Sequence, residues 1–153
     1  MKKGNWALIN SENVKPYVCD ETYSSKLLTG DELIGSPVIN LNEGTLKAGC
    51  RTSGDAHDDT EIYYIVSCEE GKCSVWLDDE EVLCKPQDVI IIPPKVFHWI
   101  DNTKSSKPFI LMTFWPRQEQ NGVYHARLAA WGKSFIQEDE NYEAKRIQKK
   151  GDK

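Results

Sequence analysis

Between residues 37 and 115 the chain is built of short β-branched and aromatic runs broken by turn residues, with no sustained helical period. Residues 61–66 alternate, so that Glu61, Tyr63 and Ile65 share one face and Ile62, Tyr64 and Val66 the other. Turn residues at 69–72 and 78–80 separate this strand from predicted strands over 73–77 and 82–85. Residues 89–92 are apolar, too short a run for a helix, and stopped by Pro93-Pro94. Residues 97–101 and 108–115 supply two more strands, and residues 37–42 and 45–48 two earlier ones. Strands spaced about ten residues apart with turns between them predict an all-β sandwich or closed barrel, and closure also removes exposed edges. The pattern changes after Trp115: residues 123–131 predict a short helix and the remainder a polar, frayed tail. The chain therefore divides into an N-terminal arm or edge strands (1–34), a β-barrel (35–116) and a C-terminal helical segment with a flexible tail (117–153).

Composition narrows the partners. The 153 residues suit one domain with a single core, and a net charge of −5 argues against nucleic acid. The one basic run, at residues 145–150, follows an acidic stretch and reads as a solvated tail. No segment approaches the ~18 consecutive apolar residues of a membrane span. The start has positive charge but no apolar stretch behind it, so no secretory signal is expected and the cytoplasm is the expected location. Five cysteines without metal-knuckle spacing then predict free thiols, with Cys68 and Cys73 facing each other across a hairpin turn.

Candidate chemistry lies in the strand region. Two of the three histidines fall there, His57 at the mouth of the 61–66 strand and His98 in the strand after the proline pair; the third, His125, is read as a surface or helix-packing residue. Glu61 opens an apolar strand. A carboxylate there either faces water or is buried with a partner, and a divalent ion shared with two imidazoles is a sufficient partner.

The spacing of these residues resembles the cupin family. The first cupin motif, G-x5-H-x-H-x(3,4)-E-x6-G, is matched by Gly49, Asp55, His57 and Glu61; the second, G-x5-P-x-G-x2-H-x3-N, by Pro93, Lys95, His98 and Asn102. The resemblance spans roughly residues 35 to 115 and implies a double-stranded β-helix, or jelly-roll, barrel. It also implies one divalent transition metal (Mn, Fe, Zn or Ni) on His57, Glu61 and His98, and a homodimer. Asp55 stands where the family's first histidine would be. Either it is a fourth ligand, giving two carboxylates and two imidazoles, or it faces solvent or Arg51 and leaves a two-histidine, one-carboxylate triad. Without a metal, the same residues would hydrogen-bond one another in a binding barrel. Tyr63, on the Glu61 face, either moves a proton, if its pKa of ~10 is lowered by the cation, or packs the cavity. Three family glycines are replaced by Cys68, Gln87 and Lys95, which predicts altered turns. Trp76, Trp99 and Trp115 are assigned to the barrel core. The expected partner is a small polar, sugar-like or hydroxy-carbonyl molecule, on which the protein acts by Lewis-acid isomerisation or elimination, or by O2-dependent oxidation. A non-catalytic binding or sensor barrel is the alternative.

Overall fold

A computed structural model describes residues 8, 10–14, 16–18, 21–29 and 39–116. The predicted helix at 123–131, His125, Cys19 and the polar tail lie outside the described residues. Among the described residues, a 3-10 turn at Ser11–Asn13 is followed by nine strands: β1 (Tyr17–Val18), β2 (Tyr23–Leu27), β3 (Ile39–Leu46), β4 (Glu61–Ser67), β5 (Ser74–Leu77), β6 (Glu80–Leu83), β7 (Val89–Ile92), β8 (His98–Asp101) and β9 (Phe109–Pro116). They form a six-stranded sheet, β1-β2-β3-β9-β4-β7, and a three-stranded sheet, β6-β5-β8, all paired antiparallel. The architecture is the all-β jelly roll expected from the sequence. No helix among the described residues is long and apolar enough to cross a membrane.

The inward faces of the two sheets make the core. Leu46, Ile65, Val75, Ile90, Ile92, Ile100, Phe109 and Leu111 are enclosed together, and Cys73 and Cys84 behave there as small apolar residues. All four described cysteines are free, and burial pushes the Cys84 thiol up to about 12. Cys68 and Cys73 do meet across their turn, both approaching the carbonyl oxygen of Cys84, at 3.7 and 3.6 Å.

Three sequence expectations change. The two strands expected at 37–42 and 45–48 are one strand, β3, running through Glu43-Gly44. Its inward positions are Asn40, Asn42, Gly44 and Leu46, so the buried face carries polar residues and a glycine, and no apolar alternation signals it. Gly44 leaves room for Tyr23 on the neighbouring strand, whose ring and hydroxyl would have to shift to admit a Cβ there. Second, only Trp115 of the three tryptophans is core. Trp99 follows the inward His98, and Trp76 follows the inward Val75, so both face outward, stacked 5.1 Å apart with the Arg51 guanidinium over Trp99. Third, the turns that lack the family's glycines are not rebuilt: Gln87 (φ 75°) and Lys95 (φ 68°) occupy the left-handed region themselves. A side chain there costs about 1–2 kcal/mol.

Glu69 staples the β4–β5 turn to the loop before β9. One oxygen accepts from Lys72 Nζ (2.7 Å), the other from Ser106 N (2.8 Å) and the hydroxyls of Ser105 and Ser106 (3.1 Å each). The Lys72 ammonium and the Ser106 amide hold its carboxyl down to about 2. A lowered folded-state pKa gives stability that is present above the ordinary carboxylate range and lost as pH falls through the folded value. Glu69→Gln is therefore expected to lower the urea midpoint at pH 7, with the gap to wild type closing as pH falls from 4.5 to about 2. A gap independent of pH would show that the contact is not ionic.

Candidate metal centre

Residues 50–55 run beside β8 without being a regular strand. Asn102 N donates to Cys50 O, Thr52 N to Ile100 O, and Asp55 exchanges both backbone hydrogen bonds with His98 (3.0 and 2.9 Å). Gly54 (φ 84°) makes this approach possible, since a Cβ there would strike the Phe97 ring and the His98 carbonyl. The segment thus delivers His57 to the side of His98. On the opposite sheet, Glu61 begins β4 opposite Ile92 and points inward. Asn102 fixes the far end of β8, its amide donating to the carbonyls of Lys47 (3.1 Å) and Lys107 (2.8 Å).

The three side chains meet in the interior. His57 Nε2 and His98 Nε2 lie 3.0 and 3.1 Å from the same oxygen, Glu61 Oε2, and all three residues are buried, Glu61 to 1% exposure. Their ligand atoms lie within 4.8 Å of one another, a cluster that could hold a metal ion. The other ring nitrogens decide the tautomers. His98 Nδ1 faces the Val96 carbonyl at 2.9 Å, which can only accept, so Nδ1 carries the proton. His57 Nδ1 likewise donates to Asp59 O (3.0 Å) and Asp59 Oδ1 (2.7 Å). In the neutral rings both Nε2 atoms are then bare lone pairs aimed at a carboxylate oxygen. Three lone-pair donors converge with no proton between them, which repels unless a cation or an added proton intervenes. Burial lowers the His57 pKa, but the Glu61 hydrogen bond and charge, with the Asp59 charge, outweigh it and raise it above the usual imidazole value. The donor set, two imidazole nitrogens and a carboxylate, suits Mn²⁺, Fe²⁺, Zn²⁺ or Ni²⁺.

The Pro93-Pro94-Lys95-Val96 turn serves the site directly. Lys95 N donates to the His57 carbonyl at 2.7 Å, and the Val96 carbonyl turns back to His98 Nδ1. The strained φ at Lys95 therefore sits where both histidines are positioned.

The structure brings together His57, Glu61 and His98, and places Tyr63 beside them, buried, its ring edge-on to His98 at 5.9 Å. It does not bring in the Asp55 carboxylate, which is exposed and accepts the Ala56 N–H at 2.7 Å. A second carboxylate is nevertheless present. Asp59, buried to 1%, acts through His57 and not at the ligand face. Nothing in the sequence separates Asp59 from its neighbour Asp58; the signal is only an acid two residues after a candidate ligand.

Comparison with known proteins agrees with this architecture. The cupin domain family model matches residues 42–115. An uncharacterized protein of Methanocaldococcus jannaschii is 30% identical over 106 residues, 69% of this chain and 82% of its own. Among solved structures, a predicted oxalate decarboxylase of Thermotoga maritima superposes with a TM-score of 0.61 at 18% identity, over 72% of this chain and 99% of that one. A cupin-superfamily sugar phosphate isomerase of Silicibacter pomeroyi gives 0.59 at 17% identity, over 72% and 76%. At these identities the two structures speak to the fold alone.

Proposed function

The chain belongs to the cupin family, and from that premise we propose that it is a divalent-metal protein that moves a proton on a small polar, hydroxy-carbonyl or sugar-like molecule. The observation that carries the reading is the pair of bare Nε2 lone pairs converging with Glu61 Oε2. His57, Glu61 and His98 would hold the ion. When bound, it supplies Lewis acidity toward a carbonyl or hydroxyl oxygen. The chain's own residues do the rest. Asp59 and the Val96 carbonyl orient the two imidazoles. The apolar layer of Ile65, Ile90, Ile92 and Leu111 excludes water from the floor of the barrel. Tyr63 shares the inward face of β4 with Glu61 and packs on His98, and its phenol is the group we assign to carry the proton.

The test is metal analysis of protein purified without oxygen, followed by α-proton exchange of hydroxy-ketones and ketoses in D2O, read by NMR. Tyr63→Phe is expected to keep the metal and to slow exchange by about a hundredfold or more. Exchange at the wild-type rate in that variant would remove Tyr63 from the chemistry, and absence of exchange in the metal-loaded wild type would remove the proton-transfer reading.

A further inference from the structure

The interior surface near the cluster is polar in a way that packing does not explain. Ser25 on β2, Asn40 and Asn42 on β3, and Thr113 on β9 all point inward and are buried. The register makes them neighbours: Thr113 pairs with Asn42 on one side and with Tyr63 on the other, and Asn40 pairs with Trp115. Through Tyr63, which touches His98, the row reaches the metal cluster. Asn42 Nδ2 donates to Ser25 Oγ, which closes that pair. Asn40 Nδ2 and Thr113 Oγ1 have no hydrogen-bond partner, although Asn40 is 2% and Thr113 1% exposed. A buried donor left unmade destabilises the fold, and valine would fill the place of Thr113 without that cost. These two atoms therefore keep an unused hydrogen-bonding capacity on the inward face that also carries Tyr63.

We propose that Asn40 and Thr113 are the specificity-determining pair of the barrel interior, reading hydroxyl groups of an uncharged polyhydroxylated substrate such as a ketose or hydroxy-ketone. The assignment rests on the metal reading above, which supplies the other end of the site. Charge selects the class. No lysine or arginine side chain among the described residues is buried, and Glu61 and Asp59 already balance a divalent ion. Among the described residues nothing matches the negative charge of a phosphate or dicarboxylate, whereas neutral hydroxyls need only the donors and acceptors that Asn40 and Thr113 offer.

The experiment uses the full chain loaded with Mn²⁺. Dihydroxyacetone, D-fructose and D-xylose are titrated by calorimetry beside D-fructose 6-phosphate and oxalate, with wild type, Thr113→Val and Asn40→Leu. The expected result is tighter binding of an uncharged probe than of either anion, and a loss of about tenfold for that probe in each variant. Mn²⁺ affinity should be unchanged, and the ligand-free Thr113→Val protein should melt no lower than wild type. That last readout separates the proposal from a structural role, which would lower the melting temperature and spare the affinity. Equal probe affinity in both variants overturns the assignment, as does tighter binding of an anion or a Mn²⁺-loaded wild type that binds no uncharged probe. A wild type that takes up no Mn²⁺ overturns the metal reading beneath it.

Discussion

Glu61→Gln is expected to cut metal affinity by roughly two to three orders of magnitude while leaving the metal-free protein no less stable than wild type. The first half follows from sharing the roughly 10–16 kcal/mol of a four-ligand zinc site among its ligands, about 2.5–4 kcal/mol each. The second half follows from the tautomers. In the metal-free protein with both rings neutral, Glu61 Oε2 faces two bare nitrogens, and a glutamine amide at the same place can donate to one of them. The two measurements together decide between the readings the sequence left open. In a metal-free hydrogen-bonded barrel, Glu61 is a structural acceptor, and its loss would lower the melting temperature with or without added ion. In a metal site, added Mn²⁺ or Zn²⁺ at a hundred times its Kd stabilises wild type by about 2.7 kcal/mol, a gain the variant does not share. Asp55→Ala is the control in the same titration. Its carboxylate is exposed and caps Ala56, so its removal should move metal affinity by no more than about twofold. A tenfold loss would make Asp55 a ligand.

Asp59→Asn is expected to weaken metal binding by about tenfold, the lower end of the ~10–100-fold range for residues that orient a ligand. The asparagine keeps the shape of the buried side chain and loses the charge. The loss is moderate because the Asp59 backbone carbonyl remains 3.0 Å from His57 Nδ1 and still favours the ligating tautomer. The amide, however, can present its NH2 to Nδ1 and permit the tautomer protonated at Nε2, which cannot bind a cation. Nitrogen-15 NMR of His57 in the metal-free protein reads this directly, as a single Nδ1–H tautomer in wild type and a mixture in the variant. An unmixed tautomer together with unchanged affinity would mean that the Asp59 carboxylate has no part in orienting the ring.

Much of the fold is legible in the chain because strands have a period of two. Runs of β-branched and aromatic residues bounded by turns announce β4 and β7, and counting by twos along β4 puts Glu61 and Tyr63 on one face. The same rule hides β3, whose inward residues are Asn40, Asn42 and Gly44 before Leu46; the strand with a polar inward row is the one whose pattern is least strand-like. The tryptophans mislead because size suggests core while parity, set by His98 and Val75, puts Trp76 and Trp99 outside. Two further features depend on backbone direction, which residue identity does not reveal. Nothing in the letters distinguishes the buried Asp59 from the exposed Asp55, or shows that Gln87 and Lys95 adopt the conformation of the glycines they replace.

The cluster also ties together the two sheets, which otherwise meet through the shared apolar core. Glu61 belongs to the six-stranded sheet and His98 to the three-stranded one, 37 positions later. An ion held by both clasps the two ends of that stretch in the native state and stabilises it by the free energy of its binding. The two sheets could then not peel apart without first releasing it. Such a clasp acts mainly on the rate of opening and little on the rate of folding. Chelation would shorten the lifetime of the native barrel even at temperatures where its equilibrium population hardly changes.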